Sequence, residues 1–384
     1  MVEYSLRNGN YGDVLMIMQK QRVLIEIPYA GEKLHQIGPY IGKMRPALAR
    51  KLILKYSKEG DWIWDPFSGS GTVPLEARLM LRNVIAGDIN PYACVLTQSK
   101  LNAPSCINIP IKQLEILKNE LRSLKRFREN NIPAWVKSFF HPQTLNEINF
   151  ISSRLIEKRL FFIMGCFLGI LHHQRPGFLS YPASNLVPYL RDKKFPKEVY
   201  PEKYEYRDPI PRIEAKINRI LAVPPPPLKI KFNVLQNSAV CTYLPAESID
   251  TVITSPPYMN ALDYSRDNRL RLWFLGIKDY KSVKSKEIYN ISTFYNDMVY
   301  VLKNISSCLR DSGFCAIVIG DLKRTNSRTV DVPNLILEIA NKEVPELNVI
   351  EKWIDELPKK RRSRKEGGAT KTETIIIFRR ENRR

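Results

Sequence analysis

Cysteine is scarce and scattered. The six residues Cys94, Cys106, Cys166, Cys241, Cys308 and Cys315 include no C-x-x-C pair. That argues against a zinc ribbon or a disulfide framework and suits a reducing cytoplasm. The four histidines are too dispersed to add a metal site, so no metal is expected. Long hydrophobic runs are also missing. The longest wholly apolar stretch, Leu160 to Leu171, has twelve residues, short of the ~20 needed to span a bilayer. The chain opens without a signal-peptide pattern, and the expected location is cytoplasmic. Acidic residues are in deficit, 39 against 60 Lys plus Arg, which leaves a net charge of +21. That balance fits a polyanionic partner such as nucleic acid.

What is present reads as an α/β chain with an interruption. Met44 to Tyr56 has helical spacing of Leu48 and Leu52, and Gly60 closes the segment. Trp62-Ile-Trp reads as a buried strand running into Asp65. A Gly-rich turn follows, then a helix from about Val73 to Met80, then the strand Val84 to Asp88. Strand, Gly turn, helix and strand within thirty residues make a βαβ unit of a parallel sheet. The texture changes after about residue 103. Residues 110–130 and 143–171 read as helices, and the proline-crowded stretch from Pro176 to Pro227 reads as loop with short helices at most. The sheet pattern returns with strands at Lys229 to Leu235, Asp250 to Thr254, Phe314 to Ile319 and Thr374 to Phe378, with a long helix around 292–310. The expected division is 1–103 and 229–384 as two parts of one Rossmann-like domain, with 104–228 as a largely helical, proline-rich insertion.

Two constellations carry chemistry. In Asp65-Pro-Phe-Ser-Gly-Ser-Gly-Thr72, two glycines let the backbone turn tightly and approach a ligand. No lysine follows as a Walker loop requires, and the three-glycine dinucleotide fingerprint is incomplete. Asp88 ends the next strand, where a carboxylate can accept both hydroxyls of a ribose. Together they point to a nucleoside-type cofactor. The second constellation, Thr254-Ser-Pro-Pro-Tyr258, directly follows an apolar strand. Its prolines form a stiff turn, so a Ser hydroxyl and a Pro carbonyl can hold an –NH2 group while Tyr258 stacks on a flat ring.

This pair of motifs resembles the DNA amino-methyltransferases, with cofactor motif first and catalytic motif after a central region. Gly38-Pro-Tyr-Ile-Gly-Lys-Met-Arg-Pro46 resembles the family's segment before the first strand, and Val234 to Asp250 the strand leading to the catalytic one. The resemblance covers roughly 36–100 and 229–325. It implies a Rossmann-like S-adenosylmethionine-dependent methyltransferase fold. It places Tyr40, Asp65, Phe67, Ser68, Gly69, Gly71 and Thr72 around S-adenosylmethionine and Asp88 at its ribose. Asn237 stands where the family often has an acid near the adenine. Ser255, Pro256, Pro257 and Tyr258 would form the catalytic turn.

The same resemblance implies direct methyl transfer to an exocyclic amino group of a flipped-out base in double-stranded DNA. A serine opening the catalytic turn leans toward N4 of cytosine, with N6 of adenine as the alternative. A cognate restriction endonuclease is a further expected partner. An RNA guanine amino-methyltransferase and a non-catalytic DNA-binding subunit are weaker readings. Candidate phosphate contacts are Arg175, Arg191 and Lys193 in the insertion, Arg266, Arg269 and Arg271 after the catalytic turn, and Arg361 and Arg362 before the last strand.

Overall fold

The computed structural model describes residues 30–123, 132–173, 175, 177–182, 193–257, 263–288, 291–320, 322–323, 329–356 and 372–381. Seven strands form one sheet: β1 Trp62–Asp65, β2 Asn83–Gly87, β3 Phe232–Leu235, β4 Ile249–Thr254, β5 Leu309–Gly320, β6 Leu347–Glu356 and β7 Thr372–Arg380. Their spatial order is β3-β2-β1-β4-β5-β7-β6. β1 through β5 pair in parallel, and β7 runs antiparallel to both its neighbours. The chain moves outward from β1 to β2 and β3, then crosses to β4 on the other side of β1. That reversal opens a crevice beyond the carboxyl ends of β1 and β4, the place where open α/β sheets bind ligands. Both sequence motifs sit there.

Local chemistry explains the central elements. Ile63, Trp64, Val252, Ile253, Ile317 and Ile376 are fully buried, as expected of strands covered on both faces. Helix α1 (Pro46–Tyr56) starts on a proline and presents Leu48, Ala49, Leu52, Ile53 and Tyr56 to the sheet. α2 (Thr72–Leu79) links β1 to β2. α3 (Pro91–Leu101) is capped by Asn90, whose side chain accepts from Tyr92 N at 3.0 Å. No helix among the described residues is long and apolar enough to cross a membrane.

Between β2 and β3 lie α4 (Asn108–Ser123), α5 (Pro142–Glu157), α6 (Phe161–Gly169) and α7 (Pro209–Ile220). α6 is apolar on all sides and is buried against α3 and α5, so these helices share one continuous core with Leu75, Tyr92 and Leu96. α7 corrects the expectation of short helices at most between Pro176 and Pro227. Its two prolines fall in the first turn, where no N–H is needed. Asp208 caps it by accepting from Ile210 N at 3.0 Å. Ile210, Ile213, Ile217 and Ile220 then bury one face, and Lys216 donates to the Gln36 carbonyl at 2.8 Å. Helix α8 (Ile291–Cys308) fills the long expected helix. α9 (Val332–Glu343) and the edge strand β6 had no clear counterpart in the sequence pattern.

Candidate active site

The DPFSGSGT turn is held from three sides. Ser68 N donates to the Gly87 carbonyl at 2.8 Å, and Gly71 N to the Ser68 carbonyl at 2.7 Å. Gly71 has φ +71°, and a Cβ there would lie 2.7 Å from Thr97 Oγ1 and 2.9 Å from the Thr97 backbone. Gly69 has φ +47°, and a Cβ there would lie 3.2 Å from the Tyr40 ring. Beneath the turn, the fully buried Lys100 donates to the Ser70 carbonyl. A side chain at Gly69 would crowd the cleft beside Tyr40, and one at Gly71 would collide with Thr97 behind the turn.

Asp88 joins this turn to the end of β2. Its Oδ2 accepts from Gly69 N and its Oδ1 from Asn90 N, each at 2.8 Å. Each oxygen keeps a lone pair for a ligand hydroxyl. Burial pushes the Asp88 carboxyl up to about 6, against the backbone hydrogen bonds that pull it down. Asp65 is buried further, and loss of solvent pushes it up to about 7.

The two motifs touch directly. Thr254 Oγ1, at the end of β4, donates to Asp65 Oδ1 at 2.7 Å. Phe67 N lies 3.3 Å from both Asp65 Oδ1 and Thr254 Oγ1. Ser255 therefore emerges beside the Gly turn, although 185 positions separate it from Ser70. Pro256 is buried, while Ser255 and Pro257 face a cleft. Tyr258 lies outside the described residues.

That open cleft is lined by Tyr40, Phe67, Gly69, Asp88, Ser255 and Pro257 among the expected residues. A smaller adjoining hollow is bounded by Asp65, Ser68, Thr72, Tyr40 and Ser255. Gly71 supports the turn from behind. Asn237 is exposed, with its amide directed to the Cys241 carbonyl at 3.3 Å and to Ser238 N at 2.9 Å. Its neighbours Ser238 and Ala239 line the cleft instead. The Ala239 and Val240 carbonyls are fixed by Asn304 Nδ2 of α8 at 3.1 and 2.9 Å.

Sequence reasoning missed most of the facing wall, formed by Tyr264, Lys286, Glu287 and Ile288. Tyr264 stacks on Tyr40 with ring centroids 5.8 Å apart and planes 21° from parallel. Glu287 Oε1 accepts from Ser265 Oγ at 2.5 Å, and burial pushes its carboxyl up to about 7. No recognisable motif contains this glutamate.

The basic candidates divide by environment. Arg175, Lys193 and Arg266 are exposed. Arg269 is half-buried with its guanidinium 5.0 Å from the Trp135 ring centroid. Arg271 corrects the expectation of a phosphate contact: it is 3% exposed, lies 5.2 Å from the Tyr92 ring centroid and donates to the Leu168 carbonyl at 3.2 Å. A guanidinium packed inside the helical core serves the structure rather than a phosphate. Arg191, Arg361 and Arg362 lie outside the described residues.

Comparison with known proteins places this geometry. Residues 19–99 match the model of the N6/N4 DNA methylase family. The type II methyltransferase M.MjaII of Methanocaldococcus jannaschii is 36% identical over 97 residues, covering 25% of this chain and 17% of that protein. M.BsoBI of Geobacillus stearothermophilus, also a type II methyltransferase, is 25% identical over 268 residues, 61% of this chain and 51% of that protein. The matches thus span about a sixth of one relative and half of the other. Among solved structures, TrmN from Thermus thermophilus aligns at TM-score 0.36 and 11% identity, over 88% of this chain and 50% of that one. A SAM-dependent methyltransferase from Methanosarcina mazei aligns at TM-score 0.34 and 11% identity, over 86% and 98%. The family match falls on the segment that builds the Gly turn, Asp65 and Asp88, and both curated relatives are type II methyltransferases: over these residues the chain is similar to the DNA amino-methyltransferase family.

Proposed function

We propose that this chain transfers a methyl group from S-adenosylmethionine to the exocyclic N4 of a cytosine in double-stranded DNA. The observation that carries this reading is the 2.7 Å hydrogen bond from Thr254 to Asp65. It joins the cofactor turn to the catalytic turn, so both open on one cleft. S-adenosylmethionine supplies an electrophilic methyl on a sulfonium. The residues suit it: Gly69 at positive φ leaves room beside Tyr40, and Asp88 offers lone pairs to a ribose.

An amine conjugated to a ring is a poor nucleophile. Ser255 Oγ and the Pro256 carbonyl accept its N–H bonds, which draws electron density onto nitrogen and aims its lone pair at the methyl. Positioning supplies much of the acceleration. Acceptors around a nitrogen that becomes positive supply the rest. Tyr258 stacks on the flipped base. The region 104–228, with Arg175, Arg191 and Lys193, carries target recognition. Arg266, Arg269, Arg361 and Arg362 hold the backbone through phosphates.

Serine at the head of the catalytic turn favours N4 of cytosine over N6 of adenine. The resemblance to type II methyltransferases supports a restriction setting, with a cognate endonuclease as partner. Expression in a methylation-free host followed by sequencing of its DNA tests the reading. N4-methylcytosine at one recurring site is the expected result. N6-methyladenine would shift the base, and an unmodified genome would overturn the DNA reading.

A further inference from the structure

The facing wall contains a carboxylate that the transfer chemistry described above leaves unused. Glu287 lines the same cleft as Asp88 and Ser255. One of its oxygens is held by Ser265 at 2.5 Å. The other, Oε2, is shielded from water, and no described group donates a hydrogen bond to it. A buried carboxylate oxygen without a donor is costly unless a cation arrives to compensate it. The charges nearby provide that compensation only in part: Lys284 draws the carboxyl down and Lys286 lines the same cleft, but neither donates to Oε2. Asp88 and Asp263 carry the same sign as Glu287, and Lys284 is paired with Asp263 at 2.6 Å. Tyr40 and Tyr264 close the space with stacked rings rather than charge.

S-adenosylmethionine is such a cation. Its sulfonium is positive before transfer, and the demethylated product is a neutral thioether. Above the value of about 7 to which burial raises it, an ionised Glu287 distinguishes the two by a full unit of charge, while their ribose, adenine and amino-acid parts are identical. We propose that Glu287 is the counter-charge that makes this cleft hold the methyl donor in preference to its demethylated product. Asp88 and the Gly turn bind what both molecules share. Glu287 responds to what only the donor has. This assignment rests on the S-adenosylmethionine reading of the cleft.

Calorimetric titration tests it without reference to turnover. The probes are S-adenosylmethionine, S-adenosylhomocysteine and an analogue with an amine in place of the sulfonium. Glu287→Gln keeps the Ser265 hydrogen bond and removes the charge. Its expected effect is about a tenfold loss of affinity for the two cationic ligands, equivalent to about 1.4 kcal/mol, with S-adenosylhomocysteine within about twofold. Glu287→Asp, which retains the charge, is expected to keep the preference for the donor. Wild-type protein that binds donor and product equally well overturns the proposal, even where the Gln variant does not fold. An equal loss for all three ligands, or no loss, also overturns it while leaving the cofactor assignment standing. A wild-type chain that binds none of the three defeats the cofactor reading itself, and this assignment with it.

Discussion

On one side of the cleft, β1, β2 and β4 end in groups that hold one another in place. Gly69 and Asn90 bind Asp88, Thr254 binds Asp65, and Lys100 fixes the Ser70 carbonyl from below. The opposite side, around 263–288, consists of helices of four to six residues and a glutamate with an unmatched oxygen. The first wall is organised before any ligand arrives, the arrangement that electrostatic preorganisation demands. The second keeps an electrostatic demand that a charged ligand can meet. A fixed wall suits recognition of invariant groups, and a wall with an unmet charge suits a step in which charge changes.

Substitutions in the fixed wall and beyond it sharpen that contrast. The largest effect is expected at Ser255. Ser255→Ala should lower methyl transfer by ~10²–10³-fold while S-adenosylmethionine binding stays near wild type, as read by radiolabelled methyl incorporation and calorimetry. Retained full activity would remove Ser255 from the mechanism. Next is Gly71→Ala, which forces a left-handed conformation costing ~1–2 kcal/mol and drives Cβ against Thr97. Cofactor affinity should drop at least about tenfold, in line with the preorganised wall. Gly60 is a control, since its φ is +84° with nothing within 4 Å. Gly60→Ala should lower the melting temperature yet leave cofactor binding intact; equal binding losses in both would show that the turn is not specially built.

Asp65 gives a pH test of the same wall. Its folded pKa of about 7 is raised above the ordinary 3.8, so the folded chain holds this proton more tightly than the unfolded one. Its contribution to stability therefore falls as pH rises from about 4 to 7 and is constant above that. Asp65→Asn keeps the acceptor for Thr254 and does not titrate. Relative to wild type, the variant should gain a few kcal/mol between pH 4 and pH 8, measured by denaturant unfolding. A gap that does not widen with pH would mean that Asp65 is better solvated than its burial suggests. The smallest effects belong to the rim. Arg266→Ala should weaken DNA binding by about two- to fivefold and reduce the salt slope by about one; an unchanged slope would take Arg266 off the phosphate path.

Much of the fixed wall was legible because it is local. Asp65, the two glycines and Asp88 lie on one βαβ unit, whose strand and helix periods mark their own boundaries. Ser255 to Tyr258 could be recognised because it ends an apolar strand. The facing wall was not legible for the opposite reason. Glu287 is one acid among 39, and nothing near it in the chain states that it faces Asp88. The basic cluster after the catalytic turn shows the same limit. Arg266 and Arg271 look alike in a charge count, yet one is exposed and the other lies under Tyr92 and the Leu168 carbonyl. The prolines of 209–211 misled in a different way: their effect depends on falling in a first turn, which the Asp208 cap decides.

By itself, the sequence determined the order of the sheet-forming segments, the positive-φ turn, the acid at the end of β2 and the stiff Ser-Pro-Pro turn. These follow from backbone sterics and from residues within a few positions of one another. Only the tertiary structure decided which groups share the cleft, which acids lose solvent, and which arginine is structural. Those properties depend on burial and on partners more than 200 positions away, such as Tyr40 and Tyr264. They are set when the sheet brings β1 beside β4 and the helices close over the cleft.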